Sequence, residues 1–392
     1  MTQGPNSPQR VLAIKEPRVA KKAGNSQPPI LVIPARFERA THSLEGCCSI
    51  QLSYGTVLNP FSRDCKYTYF FYYFYGLKQN TTMNYRELGR TGMSVSELSF
   101  GASSLGGVFH SIKEKDAIEA VFAAVDGGIN FIDVSPYYGY YKAETVLGKA
   151  LKEIPRDRYH LSTKVGRYGE DGHNTWDYSA RKARESVFES MDRLNVDHID
   201  LINVHDIEFS DLNQVVGETL PALVELKKEG VVGHVGITDL QPENLKWVVE
   251  HSPEGTVETI LNFCHYSLND DRIIDFQDFF AERGIGIINA SPLSMGLLSS
   301  RGVPDWHPAP KALVKVCAEA AEYCLEKGYP IEKLAVQYSV SNPMIATTLF
   351  SSANPDNVRK NISYVSEPAD PEMVAAVRNI IGKEFRTGWK NS

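Results

Sequence analysis

From Met83 onward the chain reads as an α/β protein, a single (β/α)8 barrel of the TIM type, on three observations. Eight short, β-branched and nearly all-apolar runs alternate with stretches of 3.6-residue apolar periodicity, as strands buried on both faces and the helices covering them do. The eight units fill about 300 residues, the length of one such barrel with insertions. An open doubly wound sheet needs a glycine fingerprint after its first strand, and FGASSLGG (Phe100–Gly107) lacks the G-x-G-x-x-G spacing and opens no immediate helix.

In chain order the strands are expected at Val95–Ala102 (VSELSFGA), Phe131–Val134 (FIDV), Tyr159–Thr163 (YHLST) and His198–Val204 (HIDLINV). The second half continues with Val232–Ile237 (VGHVGI), Thr259–Cys264 (TILNFC), Gly286–Ala290 (GIINA) and Ala346–Phe350 (ATTLF). Helical periodicity is clearest over Lys115–Asp126, Ser179–Leu194 and Leu212–Lys228, the last with a start signal at Ser210/Asp211 and a stop at Gly230.

Of the 392 residues, 42% are hydrophobic and 23% charged, and no apolar run is long enough to cross a bilayer, so a soluble protein is expected. The charge is unevenly spread. Residues 1–82 hold ten Lys+Arg against four Asp+Glu, whereas 83–392 hold 31 against 44. So acidic a body repels phosphate and argues against a nucleic-acid partner. Cys47, Cys48 and Cys65 precede Met83, and Cys264, Cys317 and Cys324 follow it, without C-x-x-C or Cys/His ligand spacing. That pattern predicts neither disulfides nor a metal site, and a reducing, cytoplasmic location follows as the simplest expectation.

Residues 1–82 show neither sustained helical periodicity nor strand alternation and lack the ordered parts of a signal or transit peptide. Back-translation of Gly46–Tyr54 (GCCSIQLSY) gives the reverse complement of a stretch that resembles the D-arm of a transfer-RNA gene, and the preceding RFER fits an antisense T-arm. KYTYFFYYFYGLKQNTT can be written almost wholly in A/T-rich codons. Translation is therefore expected to start at Met83, with 1–82 an extension outside the barrel domain of 83–392. A disordered tail, or a membrane-surface anchor built on the Tyr67–Tyr75 aromatics, is the alternative.

A barrel of this kind carries its chemistry at the C-terminal ends of its strands. There the sequence sets Asp133-Val-Ser-Pro-Tyr137-Tyr138-Gly139 after the second strand, Lys164 at the third and Asn203-Val-His205-Asp206 at the fourth. Asp, Tyr, Lys and His at one rim can couple proton transfer to hydride transfer. A phenol with a pKa near 10 is a poor proton exchanger at neutral pH, but an adjacent ammonium favours the phenolate. Lys164 can supply that charge, Asp133 can keep the lysine protonated, and His205 can orient a substrate oxygen.

These residues resemble the tetrad of the aldo-keto reductase superfamily, over essentially 84–366, together with GITD (236–239), ASPLSMGLL (290–298) and NVRKN (357–361). The resemblance selects Tyr138, directly before Gly139, as the proton-transfer residue and leaves Tyr137 as a pocket wall. It implies nicotinamide contacts from Thr238, Asp239 and Asn262, a diphosphate held along Ser291, Leu293 and Gly296, and an adenine end near Ser351, Asn357 and Asn361. The eighth helix, starting near Asn354-Pro355, would add its positive end to the diphosphate site.

SPYYG (135–139), KVGRY (164–168), HDIEF (205–209), FCHYSLND (263–270) and DWHPA (305–309) are most similar to the L-galactose dehydrogenase branch, the aldose 1-dehydrogenases. That branch implies oxidation of the anomeric carbon of L-galactose, or a related sugar such as L-fucose or a D-threo-aldose, to the lactone. Ser351 and Asn357 stand where cations for a 2′-phosphate are usual, so NAD is expected over NADP, with Arg359 and Lys360 the nearby residues that could reverse it. His265-Tyr266 and Trp306-His307 are each either pocket wall or packing. A small-molecule sugar is the expected partner, with no nucleic acid or membrane, for a monomer or weak homo-oligomer. The alternatives are an NADPH-dependent aldehyde or ketone reductase and a cofactor-bound regulatory subunit.

Overall fold

The computed structural model describes residues 83–107, 111–170 and 173–389; the expectations for 1–82 lie outside them. Eight parallel strands close into a barrel: β1 (Leu98–Gly101), β2 (Phe131–Asp133), β3 (His160–Val165), β4 (Ile199–Val204), β5 (Val232–Asp239), β6 (Thr259–Phe263), β7 (Gly286–Ala290) and β8 (Thr347–Ser351). Each pairs with the next in sequence, and β8 pairs with β1 through Leu349↔Ser99 and Phe350↔Phe100. All eight expected strands are present, within a few residues of their expected bounds.

The first differs most. Ser94–Ser96 belongs to an antiparallel hairpin with Tyr85–Glu87, and only Leu98–Gly101 enters the barrel. Glu97 marks the break, its buried carboxylate held by Asn84 at 2.9 Å and Arg86 at 3.0 Å. Leu88, Met93 and Val95 from the hairpin join Phe131, Leu201, Leu261, Ile288 and Leu349 in one apolar cluster inside the barrel. The N-terminal mouth is thereby plugged, and polar side chains gather at the other.

The covering helices are α1 (Glu114–Asp126), α2 (Lys142–Leu151), α3 (Ala180–Leu194), α4 (Leu220–Lys228), α5 (Pro242–His251) and α6 (Gln277–Glu282). After β7 come α7 (Lys311–Glu326) and α8 (Ile331–Ser339), and after β8 come α9 (Pro355–Tyr364) and α10 (Pro371–Ile381). The periodicity over Leu212–Lys228 is not one regular helix: Leu212–Gln214 forms a short turn and Val215–Thr219 a wide π-type segment before α4. Pro221, which has no N–H to give to a preceding carbonyl, sits where the regular helix resumes. A second hairpin, Arg167–Glu170 with His173–Trp176, rises from the rim after β3 and was not foreseen from the sequence. No helix among the described residues is long and apolar enough to cross a membrane.

One buried charge network fixes the helices nearest the polar mouth. Glu144 of α2 is fully buried; it accepts from Thr163 Oγ1 of β3 at 2.7 Å and from Arg193 Nε of α3 at 2.7 Å. It therefore ties the helix that follows the Tyr138 turn to the strand that carries Lys164. Stripping a buried carboxylate of its cation costs about 3 kcal/mol or more. Arg193→Met is expected to lower unfolding stability by about that amount, read from the urea midpoint; a change below about 1 kcal/mol, the worth of an exposed pair, would contradict this role.

Candidate active site

The barrel register assembles the mouth. Asp133 ends β2 opposite Ser162, and Lys164, two residues further along β3, shares that residue's inward face opposite Asn203. Lys164 and Asp133 are 1% and 3% exposed and form an ion pair. The ammonium also donates to the Val134 carbonyl at 2.9 Å, while Ser162 Oγ donates to Asp133 Oδ2 at 2.8 Å and itself accepts from Asn203 Nδ2 at 3.0 Å. Burial works against the lysine's charge, but Asp133 and the adjoining Tyr138 outweigh it and raise its pKa. Lys164 is an ammonium throughout the working pH range.

Tyr138 stands in the turn after β2, with its ring centroid 5.0 Å from Lys164 Nζ, close enough for the ammonium to act on the phenol. The sequence led us to expect a lowered phenol pKa. Instead burial pushes it up to about 12, with Lys164 acting against the shift and Asp133 and Asp206 adding to it. The ammonium limits a rise that burial imposes, and the group rests as a phenol.

His205 packs edge-on to Tyr138, with ring centroids 5.7 Å apart. Its Nδ1 lies 3.0 Å from Ser135 Oγ, which accepts from the Tyr137 N–H and so has its own hydrogen free to give to the ring. Nε2 faces Asp206 Oδ2 at 3.5 Å, which favours the proton on Nε2. Burial drives the imidazole pKa down to about 3. The ring is a neutral hydrogen-bond donor, not a cation.

Two glycines set the position of the Tyr138 turn. Gly106, in the loop after β1, packs so closely on Gly139 and Tyr138 that a Cβ there would lie 2.6 Å from the Tyr138 carbonyl oxygen. Gly139 itself has φ +63 and would drive a Cβ into the Gly106 carbonyl. This is the use of the Gly106-Gly107 pair that fails as a dinucleotide fingerprint. Sequence reasoning also missed the roles of Ser135, Arg167 and Asp206, although each lies inside a quoted motif.

The residues expected to bind the cofactor follow the ends of β5 to β8. Asn262 donates through Nδ2 to the carbonyls of Asp239 at 2.8 Å and Leu240 at 3.0 Å, and its buried Oδ1 has no hydrogen-bond partner in the protein. Thr238 Oγ1 accepts from the Asp206 N–H at 2.9 Å. Asp239 accepts from Gln241 N at 2.6 Å and Asn244 Nδ2 at 3.0 Å at the start of α5, and burial lifts its pKa to about 7.

Beyond β7, Ser291, Ser294 and Met295 all have positive φ and Gly296 has φ +111, a run that turns the backbone tightly beside Leu293. His307 accepts from Ala309 N at Nδ1, which places its proton on Nε2, and Nε2 meets the Ser294 carbonyl at 3.0 Å. His307 therefore pins the long loop, and Trp306 is half exposed beside it. Tyr266 stacks on Tyr338 of α8 at 5.0 Å, which is packing outside the barrel, whereas His265 is buried.

Ser351 Oγ is taken up by Ser104, accepting from its N–H at 2.9 Å and donating to its Oγ at 2.8 Å. Asn354 caps α9, and Asn357 and Asn361 lie on that helix joined by an Asn361 Nδ2 to Asn357 carbonyl bond of 2.8 Å. Arg359 pairs with Asp356 at 2.8 Å on the same helix. Cys264, Cys317 and Cys324 are buried free thiols, which burial holds in the unreactive protonated form.

The aldo/keto reductase family model matches residues 97–381. The chain belongs to that family. It is 44% identical over 315 residues to an L-galactose dehydrogenase of Arabidopsis thaliana, covering 79% of this chain and 98% of the relative. It is 34% identical over 260 residues to a D-arabinose 1-dehydrogenase of Saccharomyces cerevisiae, covering 63% and 76%. Among solved structures, the holo form of an aldo-keto reductase from Bacillus halodurans superposes with a TM-score of 0.65 at 29% identity, covering 79% of this chain and 99% of that one. The protein is an oxidoreductase of a family that uses nicotinamide cofactors.

Displacements of the order of 1 Å at a reacting group cost about 100-fold in rate. Gly106→Ala, which must move the Tyr138 turn, is expected to lower kcat by about that factor with the fold retained by circular dichroism. Unchanged kcat would show that the close approach has no bearing on the site.

Proposed function

We propose that the protein is an NAD-dependent aldose 1-dehydrogenase that oxidises the anomeric carbon of L-galactose or a stereochemically related aldose to its lactone. The observation that carries this reading is the convergence of Tyr138, the Lys164–Asp133 pair and neutral His205 on one mouth. The relatives named for oxidation of L-galactose and D-arabinose support the substrate class.

Tyr138 is the proton acceptor in this direction. Its phenol first gives up its proton to solvent, and the phenolate, stabilised by the Lys164 ammonium, takes the proton of the C1 hydroxyl, which returns Tyr138 to the phenol. The Nε2–H of His205 donates to the same oxygen and keeps it oriented; the ring is neutral because its pKa lies far below neutrality, and its remaining proton is favoured on Nε2 by Asp206. Asp133 keeps Lys164 charged and aimed at Tyr138. Run backwards, the phenol gives its proton to a carbonyl oxygen.

A nicotinamide, when bound, would supply hydride acceptance at the carbon that is oxidised. The chain's residues fit such a group: Asn262 Oδ1 is a buried acceptor without a partner, suited to an amide N–H, and the tight Ser291–Leu298 backbone suits a diphosphate. NAD is favoured over NADP because Ser351 is already bonded to Ser104, Arg359 is paired with Asp356, and that aspartate adds negative charge to the first turn of α9. Free buried thiols fit a reducing, cytoplasmic setting. Met83, two residues before the hairpin strand Tyr85–Glu87, is retained as the proposed start of the domain.

An assay with L-galactose, L-fucose, D-arabinose and a simple aldehyde, each with NAD(H) and NADP(H), tests the reading. Aldose oxidation with NAD is expected, and its kcat/KM should climb with pH above neutrality because the Tyr138 phenol lies well below its pKa of about 12 and each step up in pH enlarges the phenolate fraction. Aldehyde reduction, which uses the phenol already present, should stay flat over the same range. Tyr138→Phe should lose on the order of 100- to 10,000-fold in both directions. Activity confined to NADPH with the aldehyde would overturn the dehydrogenase assignment, and full activity in Tyr138→Phe would overturn the proton-transfer role.

A further inference from the structure

Beside His205 lies a second buried ion pair that the proton-transfer steps leave unused. Asp206 is 5% exposed and accepts from Arg167 Nη1 at 2.5 Å. Arg167 is wedged between two rings, 3.8 Å from the centroid of Tyr137 and 4.8 Å from that of Phe209, and Trp176 of the rim hairpin lies 5.5 Å beyond Phe209. Its Nε–H has no acceptor in the protein.

The backbone at Asp206 is strained, with φ 46 and ψ 62 on a non-glycine residue. Other groups hold it there: Tyr178 Oη donates to the carbonyls of His205 at 2.8 Å and Asp206 at 2.9 Å, and Thr238 Oγ1 accepts from the Asp206 N–H. Strain kept in place by several independent bonds beside a reacting centre points to a role for the side chain it aims. Burial disfavours the carboxylate, yet its interactions with His205, with the Arg167 guanidinium and with the Lys164 ammonium hold its pKa below the ordinary range. An ionised carboxyl has about four acceptor positions; Arg167 and Thr238 occupy one each and His205 Nε2 lies 3.5 Å from Oδ2, which leaves room for a further donor.

We infer that Asp206 is a specificity-determining residue: it accepts a hydrogen bond from the substrate hydroxyl on the carbon next to the reacting one, with Arg167 as its positioning residue. Asp206 Oδ2 lies only 3.5 Å from His205 Nε2, so a substrate whose reacting oxygen meets His205 carries its next hydroxyl beside the carboxylate. The inference deepens the aldose reading, since an aldose always carries such a hydroxyl unless it is a deoxy sugar. A site built to bind a hydroxyl also rejects the analogue that lacks it, because its own polar group is then left buried and unpaired. The Tyr137–Arg167–Phe209–Trp176 stack makes the carboxylate a fixed feature of the rim.

The test uses the full chain and substrate pairs that differ only in this hydroxyl. For oxidation with NAD the pair is L-galactose and 2-deoxy-L-galactose; for reduction it is glycolaldehyde and acetaldehyde. Wild type is expected to favour the hydroxylated member of each pair by about 10- to 100-fold in kcat/KM. Asp206→Asn tolerates the left-handed backbone and removes the charge, and should cut that preference on the order of 10-fold. Arg167→Lys keeps the charge, loses the planar stack and should erode the preference in the same direction.

Equal losses on both members of a pair in Asp206→Asn, or no preference in wild type, would overturn the inference. Should the Asn variant fail to fold, the wild-type preference and the Arg167→Lys ratio still decide it. Absence of aldose oxidation alongside a retained, Asp206-dependent preference for glycolaldehyde would contradict the dehydrogenase proposal and leave the role of Asp206 standing.

Discussion

Lys164 and Asp133 are opposite charges placed where water scarcely reaches, and the polar mouth is organised by the need to keep them together. A buried ammonium without its carboxylate would cost several kcal/mol, and the same holds in reverse. The pair is therefore wrapped: Ser162 and Asn203 satisfy the carboxylate side, and the Val134 carbonyl takes another ammonium hydrogen. Tyr138 then meets a cation whose position and protonation are fixed before any substrate arrives. Such preorganisation is what makes charge effective in a low-dielectric site.

Behind this pair stands a second layer of buried charges with a mechanical task. Glu144 joins α2, β3 and α3, and Arg167 with Asp206 joins the rim hairpin to the loop after β4. Both layers bring together segments far apart in sequence around the same quadrant of the barrel. The opposite end is closed by an apolar plug, and the catalytic charges gather at the end where the strands finish.

The barrel was legible because buried parallel strands leave an unmistakable apolar run and eight of them fit one closed sheet. Asp133, Lys164 and His205 could be assigned to one rim from the sequence because they stand at the ends of their strands, whereas Tyr138 is placed by the turn that follows β2. Less was legible where a third element decides the outcome. Glu97 looked like one more residue of a long first strand, but two side chains capture it and end the pairing. Gly106 matters only because the Tyr138 turn comes from another loop to rest on it. The sign of the Tyr138 shift also escaped the sequence, which names the neighbouring lysine but not the depth of burial that outweighs it.

Lys164, held by Asp133, restrains the proton affinity of a buried Tyr138. The direct test is a pH titration of the Tyr138 phenol by NMR with carbon-labelled tyrosine, assigned by difference from Tyr138→Phe and compared between wild type and Lys164→Met. The phenol should titrate near 12 in wild type and still higher once the ammonium is removed. A midpoint that stays put, or falls, in Lys164→Met would contradict it.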